Sequence, residues 1–122
     1  MTRTRSASAP IAAVVAALDA GQQPDRTQLR DVVRALLAAL AQRAPGRSVE
    51  VRIPPYGAIQ CVAGPRHTRG TPPNVVQTDP VTFVKLATGR LGWAEAVEAG
   101  VLTASGVRSD LSELLPLWPD PG

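Results

Sequence analysis

Leu29, Val32, Val33, Leu36, Leu37 and Leu40 recur at steps of three and four, which lays one wide apolar stripe along a helix. Asp25 and Gln28 form a capping pair ahead of that stripe, and Ala44-Pro45-Gly46 stops it. A shorter helix, Pro10 to Ala20, precedes it. Ile11, Val14, Val15 and Leu18 share one side there, and Gly21 ends it. Residues 1–9 are small, polar and basic and predict a frayed, disordered start. The period then changes to two. Val49, Val51 and Ile53 alternate with Glu50 and Arg52, as in a strand with one buried face. Pro54-Pro55-Tyr56-Gly57 reads as a turn, and Ala58 to Ala63 as a second strand that puts Ile59, Cys61 and Ala63 on one face. Arg66 to Pro73 fits either a third, edge strand or an ordered loop, since Pro72 and Pro73 remove two ladder donors. Asn74 to Thr78 is a further strand.

From Asp79 onward every boundary is marked. Asp79 caps a helix whose first position is Pro80, and Phe83, Leu86 and Ala87 share its inner face. Gly89 stands where such a helix ends in the left-handed conformation. Trp93, Ala96 and Val97 repeat the spacing, with Gly100 as the second stop. Val101 to Ser105 is short and extended. Asp110 and Glu113 predict a capping box ahead of a terminal helix carrying Leu111, Leu114 and Leu115. The sum is an α+β domain spanning residues 1–122. A helical part (10–46) precedes a sheet-and-helix part (47–118), with two N-terminal helices and a mainly antiparallel sheet of about five strands covered on one face by helices.

The order helix, helix, strand, helix after Asp79 resembles the C-terminal half of the sterol carrier protein 2 fold. The residues that carry the likeness are Asp79, Phe83, the Thr88-Gly89-Arg90-Leu91 turn, Ala96, Gly100 and the Leu102-to-Gly106 segment. The stretch Gly64 to Val76 is similar to that of the bacterial, largely actinobacterial, branch of sterol carrier family proteins. The resemblance implies the same layered fold and an apolar tunnel between sheet and helices that takes an acyl chain or a sterol. It also implies a terminal helix, here Asp110 to Leu115, that covers the tunnel.

Composition narrows the function classes. The chain has 122 residues, enough for one core and too few for two. The net charge of +3 comes mainly from arginines spread along the chain, without the clustered cations and interleaved aromatics of nucleic-acid binders. One cysteine and one histidine allow neither an intrachain disulfide nor a metal site of ordinary spacing, and no cofactor motif is present. The apolar run Ile11 to Leu18 is too short for a membrane span and is broken by Asp19. With no export signal, the expected location is the cytoplasm.

Three groups of residues are candidates for function. Ile59, Val76, Phe83, Leu86, Trp93, Val97, Leu111, Leu114 and Leu115 are apolar positions of the sheet and the C-terminal half. Their plain reading is core, and the resemblance implies that they line a ligand cavity. Arg66, His67 and Arg69, with Thr68 and Thr71, concentrate donors suited to a lipid head group, carboxylate or phosphate. The plain alternative is a solvated loop. The wide stripe of the second helix either covers the sheet or offers a homodimer face, flanked by Arg26, Arg30, Arg34 and Arg43; the same basic amphipathic design suits transient contact with an anionic membrane.

The leading expectation is a non-enzymatic carrier that holds a fatty acyl, acyl-CoA or sterol-like ligand. A protein-interaction module of the same fold is the alternative. A small enzyme using His67 ranks third, because Cys61 sits mid-strand as an inert thiol and no other nucleophile lies beside the histidine.

Overall fold

In the computed structural model, which describes residues 7–64 and 74–119, two helices lead into a sheet whose strands are interrupted by a second helix pair. Helices α1 (Ser8–Asp19) and α2 (Arg26–Arg43) come first. Strands β1 (Val49–Ile53), β2 (Gly57–Cys61) and β3 (Asn74–Thr78) follow. Helices α3 (Pro80–Ala87) and α4 (Trp93–Glu98) precede strand β4 (Leu102–Ser105) and a single 3-10 turn, Ser112–Leu114.

The helix signals act as read from the sequence. The Asp25 carboxylate accepts the Gln28 amide at 2.9 Å and opens α2. The Asp79 carboxylate accepts both the Thr82 amide (2.9 Å) and the Thr82 hydroxyl (2.7 Å), and Pro80 follows it at the helix start. Gly89 and Gly100 adopt φ of 77° and 76°, the left-handed region their stop positions require. Helix α1 begins at Ser8, earlier than Pro10. The proline still lies in the first turn, where a missing N–H costs nothing.

The sheet order is β2-β1-β3-β4. Strands β1 and β2 form an antiparallel hairpin, with Val51 opposite Ile59. β3 then pairs with the far side of β1 in parallel, Val51 beside Val76, and β4 returns antiparallel to β3. The sheet is mostly antiparallel but has this parallel centre. Among the described residues it has four strands rather than five; Arg66 to Pro73, the uncertain fifth, lies outside them.

All four helices lie on one face. Val49, Val51, Ile53, Cys61, Val76 and Leu102 point inward and are buried. Glu50, Arg52, Gln77 and Thr103 point outward, and Arg52 pairs there with Glu50. The Leu29–Leu40 stripe of α2 is buried within the chain, where it covers the sheet. β2 ends at Cys61 because Val62 takes φ of 67°, which leaves Ala63 exposed instead of continuing the alternation.

The expected terminal helix is absent. The Asp110 carboxylate accepts the Ser112 amide at 2.9 Å, two residues on, and does not form a capping box with Glu113. Pro116 forces Leu115 into extended backbone (φ −111°, ψ 151°), so too few residues remain to nucleate an α-helix. The chain continues instead as a strap over the helices. The Leu117 and Trp118 amides donate to the Ala87 carbonyl at 2.7 and 3.0 Å. Arg43 Nη1 donates to the carbonyls of Leu114 (2.7 Å) and Pro116 (2.8 Å). Trp118 Nε1 reaches the Ser8 hydroxyl at 3.3 Å, and Arg90 grips Asp19 with two donors, so α1 is tied to both the strap and the α3–α4 turn.

Candidate functional site

Between the sheet and helices α3 and α4 lies an apolar void of about 20 Å³. Alternation along β1 and β3 brings Val51, Ile53, Val76 and Thr78 to its floor, and Leu102 adds the β4 side. Phe83 and Leu86, one turn apart on α3, form the roof with Trp93 from the start of α4. Leu40 of α2 and Leu111 and Leu115 of the strap close the ends. Thr78 is the one polar residue of the lining, and its hydroxyl is spent on the Val101 carbonyl at 2.6 Å. A void of this size holds about one water and offers it no free partner, so it is dry.

Outside the same wall is a groove of about 240 Å³, bounded by Leu86, Gly89, Leu91, Gly92, Trp93, Ser112, Leu115 and Pro116. Leu86, Trp93 and Leu115 belong to both spaces. They form the partition between the interior and the surface. Trp93 and Leu115 are only half-buried, whereas Leu86 is buried.

Of the apolar candidates, Val76, Phe83, Leu86, Trp93, Leu111 and Leu115 meet at the void. Ile59 does not line it; it faces the same side from β2, where α2 covers the sheet. Leu114 lies in the 3-10 turn, half-buried and away from the void. Val97 is 45% exposed: one residue beyond the buried Ala96, it is rotated about 100° from the core-facing side. Sequence reasoning passed over Leu40, Val51, Ile53, Thr78 and Leu102. The alternation of β1 and the apolar stripe of α2 already marked the first three as inward-facing. Arg66, His67 and Arg69 lie outside the described residues.

Cys61 is fully buried on the sheet's inner face, and burial pushes its thiol up to about 11. It is therefore a protonated, shielded thiol at neutral pH. Among the described residues there is no group of three or more metal-ligating side chains, no helix is long and apolar enough to cross a membrane, and every buried side-chain nitrogen or oxygen has a partner.

A family model described as the bacterial SCP ortholog matches residues 25–117, which takes in everything from the α2 cap to the strap. No curated protein matches the chain.

Proposed function

The chain belongs to this bacterial sterol carrier protein-like family, and from that premise we propose that it is a non-enzymatic carrier that shelters the aliphatic part of an acyl or sterol-like ligand between its sheet and its helices. One observation carries the reading. The interior void and the surface groove share Leu86, Trp93 and Leu115 in their walls, so displacing those side chains would join an apolar interior to an open mouth. Burial of aliphatic surface drives such binding at about 25 cal/mol per Å² removed from water, before ordering costs. The closed form holds no lipid-sized space, so the partition and strap must move for a ligand to enter.

A second reading has its own support. The interior is nearly filled, with about 20 Å³ free, as expected of a protein-interaction module of this fold that packs against a partner and carries nothing.

Native mass spectrometry of protein purified from its own host, with solvent extraction, separates the two. A co-purifying lipid establishes the carrier and names the ligand class. A clean apo mass that does not shift with fatty acids, acyl-CoA or sterols removes the carrier reading and leaves the module.

A further inference from the structure

The open groove beside the void carries a carboxylate on each lip. On the α4 lip, Glu95 folds back against Gly92: a Cβ built on that glycine would meet Glu95 Oε1 at 3.0 Å. On the strap lip, the Asp110 carboxylate accepts the Ser112 amide at 2.9 Å. Gly92 and Ser112 both line the groove, so both carboxylates stand at its rim. Both side chains belong to exposed residues, and among the described residues neither is in an ion pair. Bonds from the Ser112 amide and side chain hold the Asp110 carboxyl below the usual carboxylate range, so it stays ionised at neutral pH. Glu113, next to Ser112, is a further exposed acid of the strap.

Two arginines approach this groove, and both are engaged elsewhere. Arg90 stands between the lining residues Gly89 and Leu91, yet it gives two bonds to the Asp19 carboxylate, at 3.2 and 3.1 Å, and a third to the Thr88 carbonyl at 2.9 Å. Arg43 reaches the strap from α2, with Nη1 on the Leu114 and Pro116 carbonyls, and is not part of the groove wall. Among the described residues, no lysine, arginine or histidine lines either the void or the groove. The imbalance runs through the whole segment. Residues 91–118 hold Glu95, Glu98, Asp110 and Glu113 against Arg108 alone, in a chain whose net charge is +3.

An apolar groove under a carboxylate rim discriminates between head groups. A carboxylate or phosphate drawn into it faces like charges and meets no cation of the wall. An ammonium group is attracted by the same charges, and a cleft of one sign with low-dielectric walls concentrates that attraction. Trp93 in the wall adds an indole, the side chain whose ring face attracts ammonium groups most strongly.

On the carrier reading, we propose that the ligand is a cationic amphiphile: its ammonium head sits between the Glu95 and Asp110 lips beside Trp93, and its aliphatic chain continues past Leu86 and Leu115 into the interior. Among ligands of equal chain, the charge of the head then sets the order of affinity.

The test is calorimetric titration of the full chain with three probes of one chain length: decyltrimethylammonium, decanol and decanoate. The expected order is ammonium, then alcohol, then carboxylate, with about tenfold between the first and the last. High salt weakens the ammonium arm and leaves decanol unchanged. Glu95→Gln with Asp110→Asn weakens decyltrimethylammonium about fivefold and does not weaken decanoate. Asparagine at 110 keeps an acceptor for the Ser112 amide, and circular dichroism confirms that the variant is folded. Asp31→Asn, an exposed acid of α2 away from the groove, leaves all three unchanged. Decanoate binding as tightly as decyltrimethylammonium, or an equal loss in Asp31→Asn, overturns the cationic head and leaves the carrier standing. Failure of all three probes to bind also overturns it, and the native mass spectrum then decides the carrier separately.

Discussion

Trp93 and Leu115 each face two spaces at once, the dry interior void and the open groove, although they come from a helix start and a strap that are far apart in sequence. Their exposure matters because a wall of half-buried side chains moves at less cost than a fully buried one. If the interior takes an aliphatic ligand, Phe83→Ala and Trp93→Ala weaken binding of a fluorescent fatty-acid probe about tenfold, or about 1.4 kcal/mol. Arg34→Ala changes it less than about twofold. Equal effects in all three, by titration, count against the carrier.

The strap depends on Arg43. Its Nη1 serves two carbonyls, and Arg43→Gln removes both charge-assisted bonds. Arg43 is exposed, so the expected loss of global stability is small, about 1 kcal/mol. The local effect is larger: amide exchange at Leu117 and Trp118, whose N–H groups rest on the Ala87 carbonyl, speeds up while α2 stays protected. Unchanged exchange at these two amides refutes the latch.

Leu36 and Leu40 sit fully inside the α2 stripe. Truncation of either to alanine destabilises the fold by about 2–5 kcal/mol in denaturant titration. Leu40→Ala carries a second signature, because Leu40 also lines the void. It removes part of the lining, and fatty-acid probe binding weakens as in Phe83→Ala, whereas Leu36→Ala, off the lining, leaves it unchanged.

Asp79→Ala leaves the first turn of α3 without its acceptor for the Thr82 amide and hydroxyl, at a cost of about 1 kcal/mol. Asp79→Asn or Asp79→Ser restores most of this in thermal melts. A melt of Asp79→Ala that matches the parent shows that the strap and the sheet, not the cap, fix α3.

Cys61 gives the fold an alkaline limit. Its thiol is raised from an ordinary 9.0 to about 11 by burial, so above about pH 9 the unfolded chain gives up a proton that the folded chain retains. The unfolded state then binds fewer protons, and stability falls with rising pH, by about 1.4 kcal/mol per pH unit until about pH 11. Cys61→Ala removes this part of the slope. An identical slope in Cys61→Ala assigns the alkaline loss to other groups.

The helices were legible because their ends are local chemistry. Asp25, Asp79, Gly89 and Gly100 each act within one turn, so the sequence alone places them. The parallel pairing of β1 with β3 was not legible, since no period in the chain says which edge of a hairpin the next strand joins. The terminal helix failed for a related reason. Asp110 and Glu113 have the spacing of a capping box, but Pro116 leaves nothing to propagate. The family match supports the layered fold, whereas the size of the void is a matter of three-dimensional packing that alternation and stripes do not encode. That is why the apolar candidates converge while Val97 and Leu114 do not.

The strand order also dictates what a ribosome can finish early. By the time Cys61 emerges, α1, α2 and the β1–β2 hairpin are complete, yet the other edge of β1 has no neighbour until Asn74 to Thr78 appears. That edge carries Val49, Val51 and Ile53. For the interval of translation between, on the order of a second at ~5–20 residues per second, the nascent chain presents an apolar, unpaired ladder. The α2 stripe can shield one side of it, but only the completed chain can close its hydrogen bonds.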